Sequence, residues 1–293
     1  MTRSLLFALL LTTTAVAAQA QTAGGPAIAY VKVGNSGDEI YLVNADRTGL
    51  TRLYTAPRKT VVRWPDLKPG GNEIAFAESF RIKLLKFHDN GQPNGAATPI
   101  TTSCQSGSPD YHPSGDGRLI FVVACASDFG VWQYSPGSGA TELFGTISTN
   151  RVRWNRTGTH IYYDEENVFN SGNLRLKRRD MATGTVEDLG PLSALESFDV
   201  TRTGDRLIHG STLSVKLFDG ATMTDTSQSA ELCIDGVDLQ ASPTDGHYLY
   251  RSPHTAGGAY VMIHSNNCSG SPVPLTGKGG WREMDWRPDP VAP

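Results

Sequence analysis

Short apolar or alternating runs stand between clusters of Gly, Pro, Asn, Asp and Ser, and no stretch sustains a helical apolar period over three turns. Ile40-Tyr41-Leu42-Val43 is followed by the turn residues Asn44 to Gly49 and then by Leu50 to Leu53, the pattern of two strands joined by a hairpin. Equivalent turn chemistry falls at Asp89-Asn90-Gly91, Pro136-Gly137-Ser138-Gly139, Ala182-Thr183-Gly184 and Asp219-Gly220. The pattern predicts a nearly all-β chain.

The runs themselves repeat. A bulky residue enters a Gly-bearing turn and then a β-rich run at Leu67-Lys68-Pro69-Gly70-Gly71, Tyr111-His112-Pro113-Ser114-Gly115 and Trp154-Asn155-Arg156-Thr157-Gly158. Weaker copies begin at Val200, Ala241 and Trp286. A period of about 44 residues built of short strands is the signature of propeller blades, so the expected architecture is a six-bladed β-propeller. Ile28 to Val31 resembles a second strand with no first strand before it, and Met284-Asp285-Trp286 resembles a first strand with no blade after it. Ring closure by pairing of the C-terminal strand with the N-terminal strands accounts for both, and removes the exposed edge of an open ring.

Residues 1–20 read as a secretory leader: Arg3, an apolar run from Leu5 to Val16 too short to span a bilayer, and Ala18-Gln19-Ala20 as the cleavage site. Residues 21–293 then form one propeller domain. Loss of Arg3 takes the formal charge from −3 to −4, which leaves no basic surplus for nucleic acid or anionic lipid. No other segment is long and apolar enough to cross a membrane as a helix, and the mature chain is expected to be an exported, soluble monomer.

Export changes the meaning of the cysteines. Cys104, Cys125, Cys233 and Cys268 form no CxxC pair and have no His at zinc spacing, so they are expected to form two disulfides. Three pairings are possible. The blade positions favour Cys104–Cys125 and Cys233–Cys268, each stapling neighbouring blades.

The bulky residue, turn residue and Gly before an apolar run resemble the repeat of TolB-type propellers, the WD40-like repeat of exported bacterial proteins. Asn44-Ala45-Asp46-Arg47-Thr48-Gly49-Leu50-Thr51-Arg52-Leu53 is similar to that family's hairpin between third and fourth strands. The resemblance covers the whole mature chain and implies a stand-alone propeller without the N-terminal α/β domain of TolB. It also implies a periplasmic location, with secretion beyond the cell as the alternative, and an envelope protein or peptide as partner.

Acidic residues mark the expected first strands. Asp110, Asp199, Asp238 and Asp285 each immediately precede a bulky or apolar residue, Arg153 holds the same place before Trp154, and Arg63 or Asp66 is the equivalent in the second blade. First strands lie nearest a propeller axis, so two readings stand: a channel ring suited to Ca²⁺ or a cationic group, or carboxylates that accept hydrogen bonds from the neighbouring blade. The recurring Trp64, Tyr111, Trp154 and Trp286 read as packing between blades. Asp164, Glu165 and Glu166 read as a solvated acidic loop.

Catalytic motifs are absent: no GxSxG, HExxH, GxGxxG or GxxxxGK[ST] occurs. His112, two residues from Asp110, is the best acid–base candidate. The functional expectation is a non-enzymatic protein-interaction or ligand-binding scaffold. The alternative is a carbohydrate- or small-molecule-active lyase or hydrolase with an acidic channel mouth.

Overall fold

The structure, a computed structural model, describes residues 28–44, 46–100, 104–126, 129–166, 174–192, 197–200, 206–210, 215–219, 237–241, 247–252, 260–265, 273–276 and 280–286. The leader, Cys233 and Cys268 lie outside them. Within the described residues all regular structure is β, arranged in six antiparallel sheets, five of four strands and one of three.

The first sheet holds β1 (Ile28–Lys32), β2 (Glu39–Val43) and β3 (Thr51–Thr55), and β23 (Trp281–Trp286) pairs against β1 with Ile28 opposite Trp286. The second holds β4 (Val62–Leu67), β5 (Glu73–Glu78), β6 (Arg81–Lys86) and the short β7 (Thr98–Pro99). The third holds β8 (Gln105–Tyr111), β9 (Leu119–Ala124), β10 (Phe129–Ser135) and β11 (Gly139–Thr146). The fourth holds β12 (Val152–Trp154), β13 (His160–Glu166), β14 (Leu174–Asp180) and β15 (Val186–Leu192). The fifth holds β16 (Ser197–Val200), β17 (Arg206–Gly210) and β18 (Val215–Asp219). The sixth holds β19 (Val237–Ala241), β20 (His247–Ser252), β21 (Tyr260–Ser265) and β22 (Val273–Pro274).

The six anchors read from the sequence, Leu67, Tyr111, Trp154, Val200, Ala241 and Trp286, are the last residues of β4, β8, β12, β16, β19 and β23. The turn that follows carries out the local chemistry of the repeat. Gly115 donates its N–H to His112 O at 3.1 Å and Gly158 to Asn155 O at 3.1 Å. Both glycines have positive φ, 71° and 69°, where a Cβ is disfavoured.

In the first four sheets the central strands carry apolar side chains on both faces, because each of these sheets is covered on both sides. Leu42 and Ile40 of the first sheet pack with Ile74 and Phe76 of the second. Ala75 and Ile82 of the second pack with Phe121 and Val123 of the third, and Ile120 and Val122 of the third with Trp154 and Tyr163 of the fourth. Tyr162 and Leu176 of the fourth pack with Phe198 and Val200 of the fifth. Leu249 of the sixth joins Ile28, Met284 and Trp286 of the first.

Cys104 and Cys125 are disulfide-bonded. They extend the β8–β9 register one step beyond the pair Gln105 and Ala124, so the bond ties two strands of one sheet and does not staple neighbouring sheets as expected. The reason is local: Cys104 immediately precedes β8 and Cys125 immediately follows β9, so both cysteines sit at one end of the same strand pair. The acidic loop is corrected too. Asp164, Glu165 and Glu166 end strand β13. Asp164 Oδ1 accepts the N–H groups of Asn150 and Arg151 at 2.7 and 2.8 Å, and Glu165 pairs with Lys177.

Candidate functional site at the first strands

The residue before each anchor comes to one cavity of about 60 Å³. Asp66, Asp110, Arg153, Asp199, Gln240 and Asp285, one from each sheet, line it. The backbone aims them. A one-residue bulge lies between Arg63 and Asp66 in β4, between Gly107 and Asp110 in β8, and between Val237 and Gln240 in β19, and such bulges re-aim the side chain that follows. In the first two the bulged residues are Trp64-Pro65 and Ser108-Pro109, with Trp64 and Ser108 both at φ 49°. Proline withholds a ladder donor there, which the bulge makes harmless.

Three carboxylates make the same bond. Asp285 Oδ2 accepts the Leu67 N–H at 2.7 Å, Asp66 Oδ2 the Tyr111 N–H at 2.6 Å, and Asp110 Oδ2 the Trp154 N–H at 2.6 Å. Each ties the end of one sheet's first strand to the end of the next. Where the fourth sheet supplies Arg153 in place of an acid, the guanidinium donates to Ser108 Oγ at 3.2 Å and to Val152 O at 2.8 Å, and lies 3.6 Å from Asp199. Asp38 adds a link outside the ring, its Oδ2 accepting the Val62 N–H at 2.9 Å.

Burial of this much like charge moves the protonation equilibria. Burial, opposed by Arg153 and the Trp154 N–H and reinforced by Asp199 and Asp285, pushes Asp110 up to about 7. Burial and the charges of Asp285 and Asp110 hold Asp66 well above the usual carboxylate range. Burial disfavours the charged form of Arg153, but the four surrounding aspartates outweigh it and hold the guanidinium charged. Among the described residues no three His, Cys, Asp or Glu side chains converge as a metal-ligand set. In the ring three carboxylates each give one oxygen to a backbone donor, and the fourth, Asp199, faces a guanidinium.

Of the residues singled out in the sequence, Asp110, Arg153, Asp199 and Asp285 are brought together, and Asp66 rather than Arg63 is the member from the second sheet. Asp238 falls on β19, where its side chain lies outside the described residues, and Gln240 lines the cavity from that sheet. His112 is buried. Its Nδ1 lies 2.7 Å from Ser114 Oγ, its ring stands edge-on to Trp154 at 4.8 Å, and Arg118 lies within 3.4 Å. Burial and then the Arg118 charge lower its pKa. Asp110, its expected partner, is bonded to Trp154 instead. Gln240 is the member that a search for charge does not find, and the choice of Asp66 over Arg63 has a usable signal: Trp64-Pro65-Asp66 and Ser108-Pro109-Asp110 share an x-Pro-Asp pattern one repeat apart.

No sequence-family model matches the chain, and no curated protein sequence does. Its shape is that of solved propellers. A crystal structure of TolB from Acinetobacter baumannii superposes with a TM-score of 0.71 at 16% identity, over 90% of this chain and 67% of that one. The structure of a putative TolB from Agrobacterium tumefaciens gives 0.59 at 11% identity, over 86% and 90%. The chain has a TolB-like β-propeller fold. An oligogalacturonate lyase in complex with manganese is a more distant likeness of this propeller, with a TM-score of 0.53 at 14% identity over 81% and 73%. In the propeller the recurring Tyr111, Trp154 and Trp286 are buried at the strand ends, in keeping with a packing role.

Proposed function

We propose that the chain is an exported, six-bladed TolB-like propeller, closed by β23 on β1, that serves as a binding scaffold for a protein or peptide of the cell envelope. The observation that carries this reading is the commitment of the axial carboxylates. Asp66, Asp110 and Asp285 each bond the backbone of the next first strand, so the ring is a fastening for the blades and the loops remain to make contacts. The leader pattern and the Cys104–Cys125 disulfide support export to an oxidising compartment. The pairing of β1 with β23, and the packing of Leu249 against Ile28 and Trp286, support six blades in a closed ring.

The test is affinity capture from an envelope extract with mature, oxidised protein as bait, comparing wild type with an Asp110→Asn/Asp285→Asn double variant. One specific protein retained by both forms is the expected result. No retained protein, together with a saccharide- or metal-dependent rise in melting temperature that the double variant abolishes, would replace the scaffold with a small-molecule-active site in the ring.

A further inference from the structure

A second hollow, of about 310 Å³, lies on the third sheet away from the ring. Among the described residues Val123, Cys125, Phe129, Trp132, Glu142, Gly145 and Thr146 line it, and the buried Thr146 hydroxyl has no hydrogen-bond partner. Its floor is Gly145 of β11, which stands opposite Gly130 of β10 in a cross-strand glycine pair. Two residues on, the register shifts by one, so that Trp132 stands opposite Glu142. The shift returns Glu142 to the face of the glycines: a Cβ on Gly145 would lie 3.5 Å from Glu142 Oε1. Above Gly130 three polar atoms lie near where a Cβ would stand: the backbone Phe144 O at 3.0 Å, and the side-chain atoms Glu142 Oε1 and Trp132 Nε1 at 3.5 and 3.6 Å.

Each of the two side-chain atoms has one function. An indole N–H only donates and a carboxylate only accepts. No hydrogen bond joins them to each other, or either of them to another of the described residues. A cation would satisfy Glu142 and oppose the N–H; an anion would do the reverse. A hydroxyl-bearing ligand satisfies both, donating to Glu142 and accepting from Trp132. Val123, Phe129 and the disulfide offer apolar surface to C–H groups, and the volume is at the lower end of ligand pockets, roughly 300–1,000 Å³. It has room for one ring.

We infer that this hollow binds a neutral saccharide residue, held by Trp132 Nε1 and Glu142 over the Gly145 floor. The site is independent of the axial ring and of the scaffold reading. Glu142 selects against uronic acids by charge, and the single-ring volume selects for a terminal or monomeric unit.

The experiment uses the mature, oxidised protein in saturation-transfer NMR and intrinsic-fluorescence titrations with D-glucose, D-galactose and N-acetyl-D-glucosamine, and with D-galacturonate and putrescine as charged probes. At least one neutral sugar binds, and galacturonate does not. Trp132→Phe, which keeps an aromatic ring and removes the donor, weakens binding tenfold or more. Gly145→Val fills the floor and abolishes binding; a Cβ there makes only ordinary contacts at 3.5 Å, and circular dichroism confirms that the variant folds. Asp110→Asn leaves binding unchanged, which separates this site from a ring-centred activity. Absence of binding by all three neutral sugars overturns the inference. So does binding that Trp132→Phe and Gly145→Val leave intact, or a preference for putrescine that Glu142→Gln removes.

Discussion

Asp66 and Tyr111 are joined across two sheets: the Asp66 carboxylate accepts the backbone N–H of Tyr111 at 2.6 Å, and both residues are more than nine-tenths buried. The same bond recurs one repeat later between Asp110 and Trp154. A carboxylate placed in this way fastens a donor that has no water to turn to, and loss of the acceptor leaves that donor unsatisfied.

Asp110→Ala is therefore expected to cost about 1–3 kcal/mol, a fall of roughly 2–4 °C in melting temperature for each of those kcal/mol in a chain of this size. Asp110→Asn keeps an acceptor oxygen and removes a charge from a crowded ring, so it is expected to cost less. Thermal unfolding of both variants checks this; equal losses would mean that the charge, not the acceptor, holds Trp154.

Asp110 also sets a pH dependence. Its pKa is pushed up to about 7 in the folded protein, above the unfolded value near 3.9, so between those limits the native state holds a proton that the unfolded chain has lost. Its contribution to stability is therefore greatest below pH ~4 and is lost as pH rises through 7. His112, whose pKa burial lowers, acts in the opposite sense below pH ~6.5. The difference between wild type and Asp110→Asn isolates the carboxyl: the wild type gains relative to the variant when the pH falls from 8 to 5, as read from melting temperatures across that range.

The Cys104–Cys125 bond spans a sequence separation of 21 residues at the mouth of the β8–β9 pair. A Cys104→Ser/Cys125→Ser variant is expected to lose about 2–4 kcal/mol, measured by chemical denaturation under oxidising conditions. Because the bond lies within one sheet, the loss should be centred on the third sheet, with faster amide exchange in β8 and β9 than in β5.

Gly158 gives a sharper steric prediction. Its φ is 69°, and a Cβ there would stand 2.1 Å from His112 Nε2. Gly158→Ala must move the imidazole off Trp154, and a cost of about 1–3 kcal/mol is expected from backbone strain alone. Gly137, at φ 85° with nothing within 4 Å of a Cβ, is the control for strain without a clash; unfolding of the two alanine variants separates the contributions.

Much of this architecture was legible because strand ends repeat. The anchors Leu67, Tyr111 and Trp154 could be found from bulk and a following Gly, since both are demanded locally by packing and by the turn. The ring was legible only in part. Membership is decided by register, one residue before the anchor, and not by charge, so a search for acids selected Asp238 on the strand where Gln240 lines the cavity. The choice between Arg63 and Asp66 stayed open because the Trp64-Pro65 bulge adds a residue that simple counting does not see. Burial was the other blind spot. Asp164 and Glu165 read as solvated because nothing in their neighbourhood along the chain names their partners, the Asn150 and Arg151 amides and Lys177.

The inter-sheet bonds also have a direction. From Asp285 to Leu67, Asp66 to Tyr111 and Asp110 to Trp154, the acceptor always belongs to the sheet before and the donor to the sheet after. At Arg153 the polarity reverses, since the ring residue now donates, backward to Ser108 and forward to Asp199. Mechanical load applied to the first sheet would thus be handed through three couplings of one polarity and reach, at the fourth, a coupling made by a charged donor facing a charged acceptor.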